Sequence, residues 1–247
     1  MLTPKAEAYL EECRQEAVDL LIRLAQIPAP SNQEEKRAVF CREWLEKNGA
    51  QGVYVDEALN VIYPVIKDGE PLEKQQLAVY AAHTDVVFPD LTPLPLTVDG
   101  NLICCPGVGD DTACLTALLI AARFVARELR QGSLKLKNKG VLFVCNSGEE
   151  GLGNLKGSRE ICRAFGKQMK EFITLDGPMD KLVPRAVGSM RYQVEIRTRG
   201  GHSYGDFGQP NAIARMAELI AKLYQIPVPT GAKTTFNVGT ISGGTSV

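Results

Sequence analysis

The sequence predicts an α/β fold: a mixed, mainly parallel sheet flanked by helices, followed by the start of a smaller domain. Three observations carry this reading. Apolar runs of strand length at 76–82, 141–145 and 172–175 have the continuous character of buried strands. Segments with apolar residues at helical spacing separate them, and strands alternating with helices build a parallel layer. From about residue 187 the pattern changes to alternation (Tyr192, Val194, Ile196, Thr198), as in a sheet with one wet face.

Taken in order, residues 4–26 place Ala6, Leu10, Cys13, Ala17, Leu20 and Leu24 at helical spacing. Ser31, followed by Gln33 and Glu34, starts a second helix that reaches about Asn48 and stops at Gly49. Short strands are expected at 52–55, 61–66 and 76–82, then a loop marked by Pro89, Pro93 and Pro95, then a strand at 97–103. Asp110 or Asp111 caps an apolar helix running to about Arg130. Strand 141–145, a helix over 157–170 and strand 172–175 complete a first domain, residues 1–185. Residues 186–247 hold the alternating strand, the loop RGGHSYGDFGQPN, a helix over 211–224 and a strand at 235–241. They read as the opening of a second domain of β-α-β type. The chain stops at GGTSV with no closing element, as a piece of a longer protein would.

Composition narrows the function classes. With 28 basic and 29 acidic residues among 247, the net charge of −1 speaks against a nucleic-acid partner. No run approaches the ~18 apolar residues of a membrane span, and the N-terminus lacks a signal-type apolar stretch, so a soluble cytoplasmic protein is expected. The seven cysteines include no CxxC pair, and most read as buried thiols.

Only two histidines occur, His83 and His202. His83 ends the run AVYAAHTDVV, and Asp85, two residues on, points the same way on an extended chain and can orient the ring. Alternatively, this is a strand-end histidine beside a turn aspartate. GVGDDTAC brings Asp110 and Asp111 to a helix start, as a cap or as an oxygen site for a divalent ion. VLFVCNSGEE places Glu149 and Glu150 after a buried strand, where adjacent carboxylates are costly without a cation or proton. One can bind a metal while its neighbour acts as a base. FITLDGP ends a strand in Asp176, which also suits a turn. In open α/β sheets, ligands gather outside the carboxyl ends of strands, so the four segments can converge. One imidazole with several carboxylates suits zinc, manganese or cobalt in a two-metal hydrolytic centre. HExxH and P-loop patterns are absent, Ser147 lies in NSGEE rather than GxSxG, and Glu149 and Glu150 would repel a dinucleotide at the Gly151–Gly157 loop.

AAHTDVV, GVGDD, SGEEGLGNLKGSR, LDG and RGGHS, in this order over residues 75–245, resemble the co-catalytic di-zinc metallopeptidases of the peptidase T, dipeptidase, carboxypeptidase G and desuccinylase group. EEGLGNLKGSR is most similar to the peptidase T-like branch. The resemblance implies a zinc-peptidase-like catalytic domain and a lid or dimerisation domain at 186–247. It implies two divalent ions, zinc with cobalt or manganese as alternatives. His83 and Asp176 would hold the first, Asp110 both and Glu150 the second, and the Asp110–Asp111 peptide is often cis in such enzymes. Asp85 would steer His83, and Glu149 would be the general base acting on water between the ions. His202 would reach a substrate carbonyl across a homodimer interface, and Asn237 would contact the substrate's carboxylate.

The implied reaction is hydrolysis of an amide bond in a short peptide, with an N-acyl amino acid or a non-catalytic binding role as alternatives. Thr112 stands where relatives carry Lys or Arg, and Ala113-Cys114 where a glycine is usual. The family's last metal-ligating histidine would lie beyond Val247.

Overall fold

The computed structural model describes all residues except Met1, Asp68, Met179, Ala232, Ser246 and Val247. The chain divides into two units, Met1–Ala186 and Val187–Val247.

In the first unit, helix α1 (Pro4–Glu12) opens with Thr3, whose hydroxyl accepts the Ala6 N–H at 3.2 Å. The single helix expected over 4–26 divides at Cys13, where φ/ψ of −95°/7° leave the helical basin. Helical bonding still passes through the joint, from Cys13 N–H to Tyr9 and from Ala17 N–H to Cys13, and α2 spans Arg14–Ala25. Helix α3 (Glu35–Lys47) starts later than expected, and Ser31 does not cap it: the Ser31 hydroxyl donates to Asp85 instead.

Strands β1 (Tyr54–Val55), β2 (Val61–Val65) and β3 (Leu77–His83) follow. The single strand expected at 97–103 is a hairpin, β4 (Thr97–Asp99) and β5 (Leu102–Cys104), because Gly100 with φ +57° turns the chain. Helix α4 (Ala113–Arg130) leads to β6 (Gly140–Asn146), then to α5 (Lys156–Phe165) and β7 (Met169–Thr174). The helix expected to reach 170 ends early. Gln168 already accepts the Leu77 N–H, so pairing with β3 takes residues that the helical pattern claimed.

The main sheet has the order β1-β2-β6-β3-β7. β6, β3 and β7 are parallel, while β2 and β1 continue antiparallel on one side. The central β3 and β6 are buried almost throughout, as strands covered on both faces must be. One face packs Tyr63, Ala82, Phe143 and Cys145 against α1 to α4 through Tyr9, Leu20, Leu24, Trp44, Leu115 and Leu119. The other packs Ile62, Val79, Ala81 and Val144 against Ile161 and Phe165 of α5.

In the second unit, helix α6 (Ala212–Leu223) is capped by Asn211, which accepts the Ala214 N–H at 3.0 Å. The strands expected around 192–198 and 235–241 do not form among the described residues. These segments have no backbone ladder to a partner, and pairing is what makes an extended chain a strand.

Leu115 is fully buried between α4 and the sheet. Leu115→Ala is therefore expected to cost about 2–5 kcal/mol, read as a lower urea midpoint with an unchanged slope.

Candidate metal centre

The three parallel strands finish level. His83 pairs with Asn146 across β3 and β6, and Ala81 with Thr174 across β3 and β7. Just past these ends stand Asp85, Glu149 with Glu150, and Asp176. Asp110 and Asp111 join them from the segment before α4.

Neither aspartate caps that helix. Their backbone is non-helical, the peptide between them is cis, and α4 begins without a side-chain cap. Asp111 is buried and its Oδ2 accepts the His83 backbone N–H at 2.9 Å. Asp110 turns outward, 63% exposed, with Oδ1 3.1 Å from His83 Nε2. One ligand atom from each of His83, Asp110 and Asp176 lies within 4.8 Å of the others, and the same holds for His83, Glu149 and Glu150.

The Asp85 carboxylate is fully buried. Its Oδ1 accepts the Glu149 N–H at 2.9 Å, and its Oδ2 the Glu150 N–H at 3.0 Å and the Ser31 hydroxyl at 2.7 Å. The His83 Nδ1 sits 2.9 Å from the Asp85 carbonyl oxygen and 3.4 Å from its carboxylate. The backbone of Asp85 thus meets the ring more closely than its side chain does.

Burial opposes the His83 imidazolium, yet Asp85, Asp111 and Asp110 outweigh it and push the group up to about 10. Burial pushes Asp111 up to about 7, against the pull of Cys114 and His83. Burial also raises Glu149 and Glu150, and neighbouring carboxylates add to the effect although His83 opposes it. Burial acts on Asp85 in the same sense, but its donors His83, Ser31 and the Glu149 N–H hold it below the ordinary carboxylate value. The Cys114 thiol, pushed up to about 12 by burial and Asp111, stays protonated and adds no thiolate.

Six carboxylates face one imidazole, and the outer four lie open to solvent or only half-buried. A divalent cation fits this donor set, which balances the anionic excess with one nitrogen and several hard oxygens. His83, Asp110, Asp176, Glu149 and Glu150 can hold it.

His202 and Asn237 belong to the other unit, and both are exposed. His202 Nδ1 accepts the N–H groups of Tyr204 at 3.2 Å and Gly205 at 3.1 Å, so a neutral ring carries its proton on Nε2. The Asn237 Oδ1 accepts the Tyr224 hydroxyl at 3.4 Å.

Sequence reasoning did not single out Glu34, Arg37 or Lys156. Arg37, 2% exposed, donates to the carbonyls of Leu24, Ile27 and Thr84, and so fixes the residue after His83. On a helix-spaced segment it looked like any solvent-facing basic residue.

Residues 60–193, more than half of the chain, match the model of peptidase family M28. The chain belongs to peptidase family M28. Residues 186–247 match the peptidase dimerisation domain. A Pyrococcus abyssi protein named as a LysW-lysine/LysW-ornithine hydrolase is 30% identical over 152 residues, covering 62% of this chain and 38% of that protein. Two solved structures share the fold. The Saccharomyces cerevisiae di-peptidase Dug1p has a TM-score of 0.51 at 18% identity, over 68% of this chain and 40% of that one. An aminopeptidase from Desulfurococcus kamchatkensis has 0.50 at 14%, over 70% and 66%. The chain thus spans well under half the length of the curated relative and of the di-peptidase. No helix among the described residues of this M28 chain is long and apolar enough to cross a membrane.

Because an imidazole must be neutral to bind a metal, zinc uptake at pH 7 is expected to displace a proton from His83. Affinity should then rise with pH across the neutral range, because the neighbouring carboxylates hold the free His83 above its ordinary value. Calorimetric titration in buffers of different ionisation enthalpy measures both the proton release and its pH dependence.

Proposed function

We propose that this chain carries the metal-binding part of an amide hydrolase that cleaves short peptides. The observation that supports this most directly is the meeting of His83, Asp110, Glu149, Glu150 and Asp176 at the carboxyl ends of β3, β6 and β7. In this reading His83 and Asp176 would hold one divalent ion and Glu150 a second, with Asp110 available to both. Such ions, zinc with cobalt or manganese as alternatives, would polarise the scissile carbonyl and make a nearby water more acidic.

The rest falls to the chain's own side chains. Asp85 keeps the His83 ring and the Glu149–Glu150 turn in place. Glu149, raised above its ordinary value by burial, takes a proton from the attacking water and returns it to the departing amine. His202, its Nε2–H free to donate, meets the carbonyl oxygen as negative charge develops there. Asn237 contacts the substrate's carboxylate. We place His202 and Asn237 in a lid and dimerisation domain, residues 186–247, which follows a catalytic domain, residues 1–185, along the chain. A second copy of the chain supplies the lid to the site, and the protein works in the cytoplasm. The name of the Pyrococcus relative favours a second substrate class, the N-acyl amino acid.

Zinc titration tests the centre: the folded chain is expected to take up zinc and Asp110→Ala to take up less, whereas a folded chain that binds none overturns it. Turnover of dipeptides and N-acyl amino acids tests the base. Glu149→Gln should lose about 10²–10⁴-fold in rate with zinc still bound, and near-normal turnover would remove Glu149 from the role. His202→Ala should lower kcat by about 10²–10³-fold, the measure of a lost oxyanion donor.

A further inference from the structure

Three consecutive backbone N–H groups, those of Gly148, Glu149 and Glu150, end on two carboxylates that water does not reach. Asp85 takes the last two. The first goes to Glu34, which is 0% exposed and whose Oε1 accepts the N–H groups of Gly148 and Asn32, each at 2.9 Å. Its Oε2 lies 3.0 Å from the Lys156 ammonium.

Lys156 closes the turn from the other end. It begins α5, and its N–H donates to the Gly148 carbonyl at 3.1 Å. Its aliphatic stem crosses Gly148 so closely that a Cβ there would stand 2.5 Å from the Lys156 Cγ. On the far side Gly153 presses in, since a Cβ on that residue would meet the Gly148 Cα at 2.5 Å. Gly148 has φ +56°, a conformation that favours glycine. The residue just before Glu149 is therefore held on both sides and tied by its N–H and its carbonyl.

We propose that the ion pair of buried Glu34 with half-buried Lys156 is a positioning device for the turn that carries Glu149 and Glu150, and fixes where these acids stand without joining them. The Ser31 hydroxyl on Asp85 makes residues 31–34 the second anchor of the same turn. A buried carboxylate is costly and is held only where its partners are complete, as those of Glu34 are. The consequence for metal binding rests on the function proposed above, whereas the positioning rests on the contacts alone.

Glu34→Gln keeps an oxygen for the two N–H groups and removes the charge that holds Lys156. Hydrogen exchange followed by mass spectrometry should show the amides of 148–150 exchanging about tenfold faster or more, with those of β3 and β6 as protected as before. A pair that serves stability alone would instead raise exchange across the whole unit. Either that result or unchanged exchange overturns the proposal. Zinc affinity of the same variant should fall about 10–100-fold, the usual effect of losing a group behind a ligand.

Should Glu34→Gln fail to fold, the double variant Glu34→Gln with Lys156→Met removes both charges, leaves neither unpaired, and is read by the same comparison. If the unaltered chain binds no zinc, the metal reading fails, and the exchange comparison still decides this proposal.

Discussion

Everything at the carboxyl end of the sheet depends on the fully buried carboxylate of Asp85 and on the donors that surround it. Taking such a group out of water costs several kcal/mol unless its oxygens are satisfied. Here they receive two backbone N–H groups and a hydroxyl, with the His83 ring alongside. Those donors come from the loop before α3 and from the end of β6, while the carboxylate itself follows β3. Neighbouring bonds secure the same junction: Val86 donates to Ala29, and Pro30 forms a bridge to Val86. Three segments far apart in sequence thus have one permitted arrangement.

The carboxylates of the cluster divide by what surrounds them. Asp85 and Asp111 face inward: Asp111 holds the backbone of His83 through Oδ2, and Asp85 holds the Glu149–Glu150 turn with both oxygens. Asp110, Glu149, Glu150 and Asp176 sit toward solvent with few donors from the protein. Membership of a peptidase family and an anionic mouth beside an ordered interior point to the same chemistry.

Much of this was legible in the sequence. The apolar runs at 76–82 and 141–145 are strands because both faces of β3 and β6 are covered, a burial that leaves a continuous hydrophobic signature. His83, Glu149, Glu150 and Asp176 could be picked out because each closes or follows an apolar segment, and Asp110 because it stands just before one. What escaped was tertiary in origin. Ser31 has the chemistry of a helix cap, yet a buried carboxylate 54 positions away captures its hydroxyl. Glu34 and Arg37 look like the wet side of a helix, since nothing local says that the chain after β3 and after β6 will meet them. Residues 169–170 carry a helical pattern that pairing with β3 overrides. The segments around 192–198 and 235–241 have strand periodicity, but periodicity supplies no partner.

β7 lies at one margin of the sheet, paired on its β3 side among the described residues, and much of it is exposed. Its outer row of amides and carbonyls is a template on which another extended segment can dock. Lys170 and the Lys139–Glu171 ion pair make that margin charged, which discourages casual association. Asp176 follows this strand. A segment docking beside β7 would remove water from one flank of Asp176, lower the local dielectric and strengthen every charge interaction the aspartate makes.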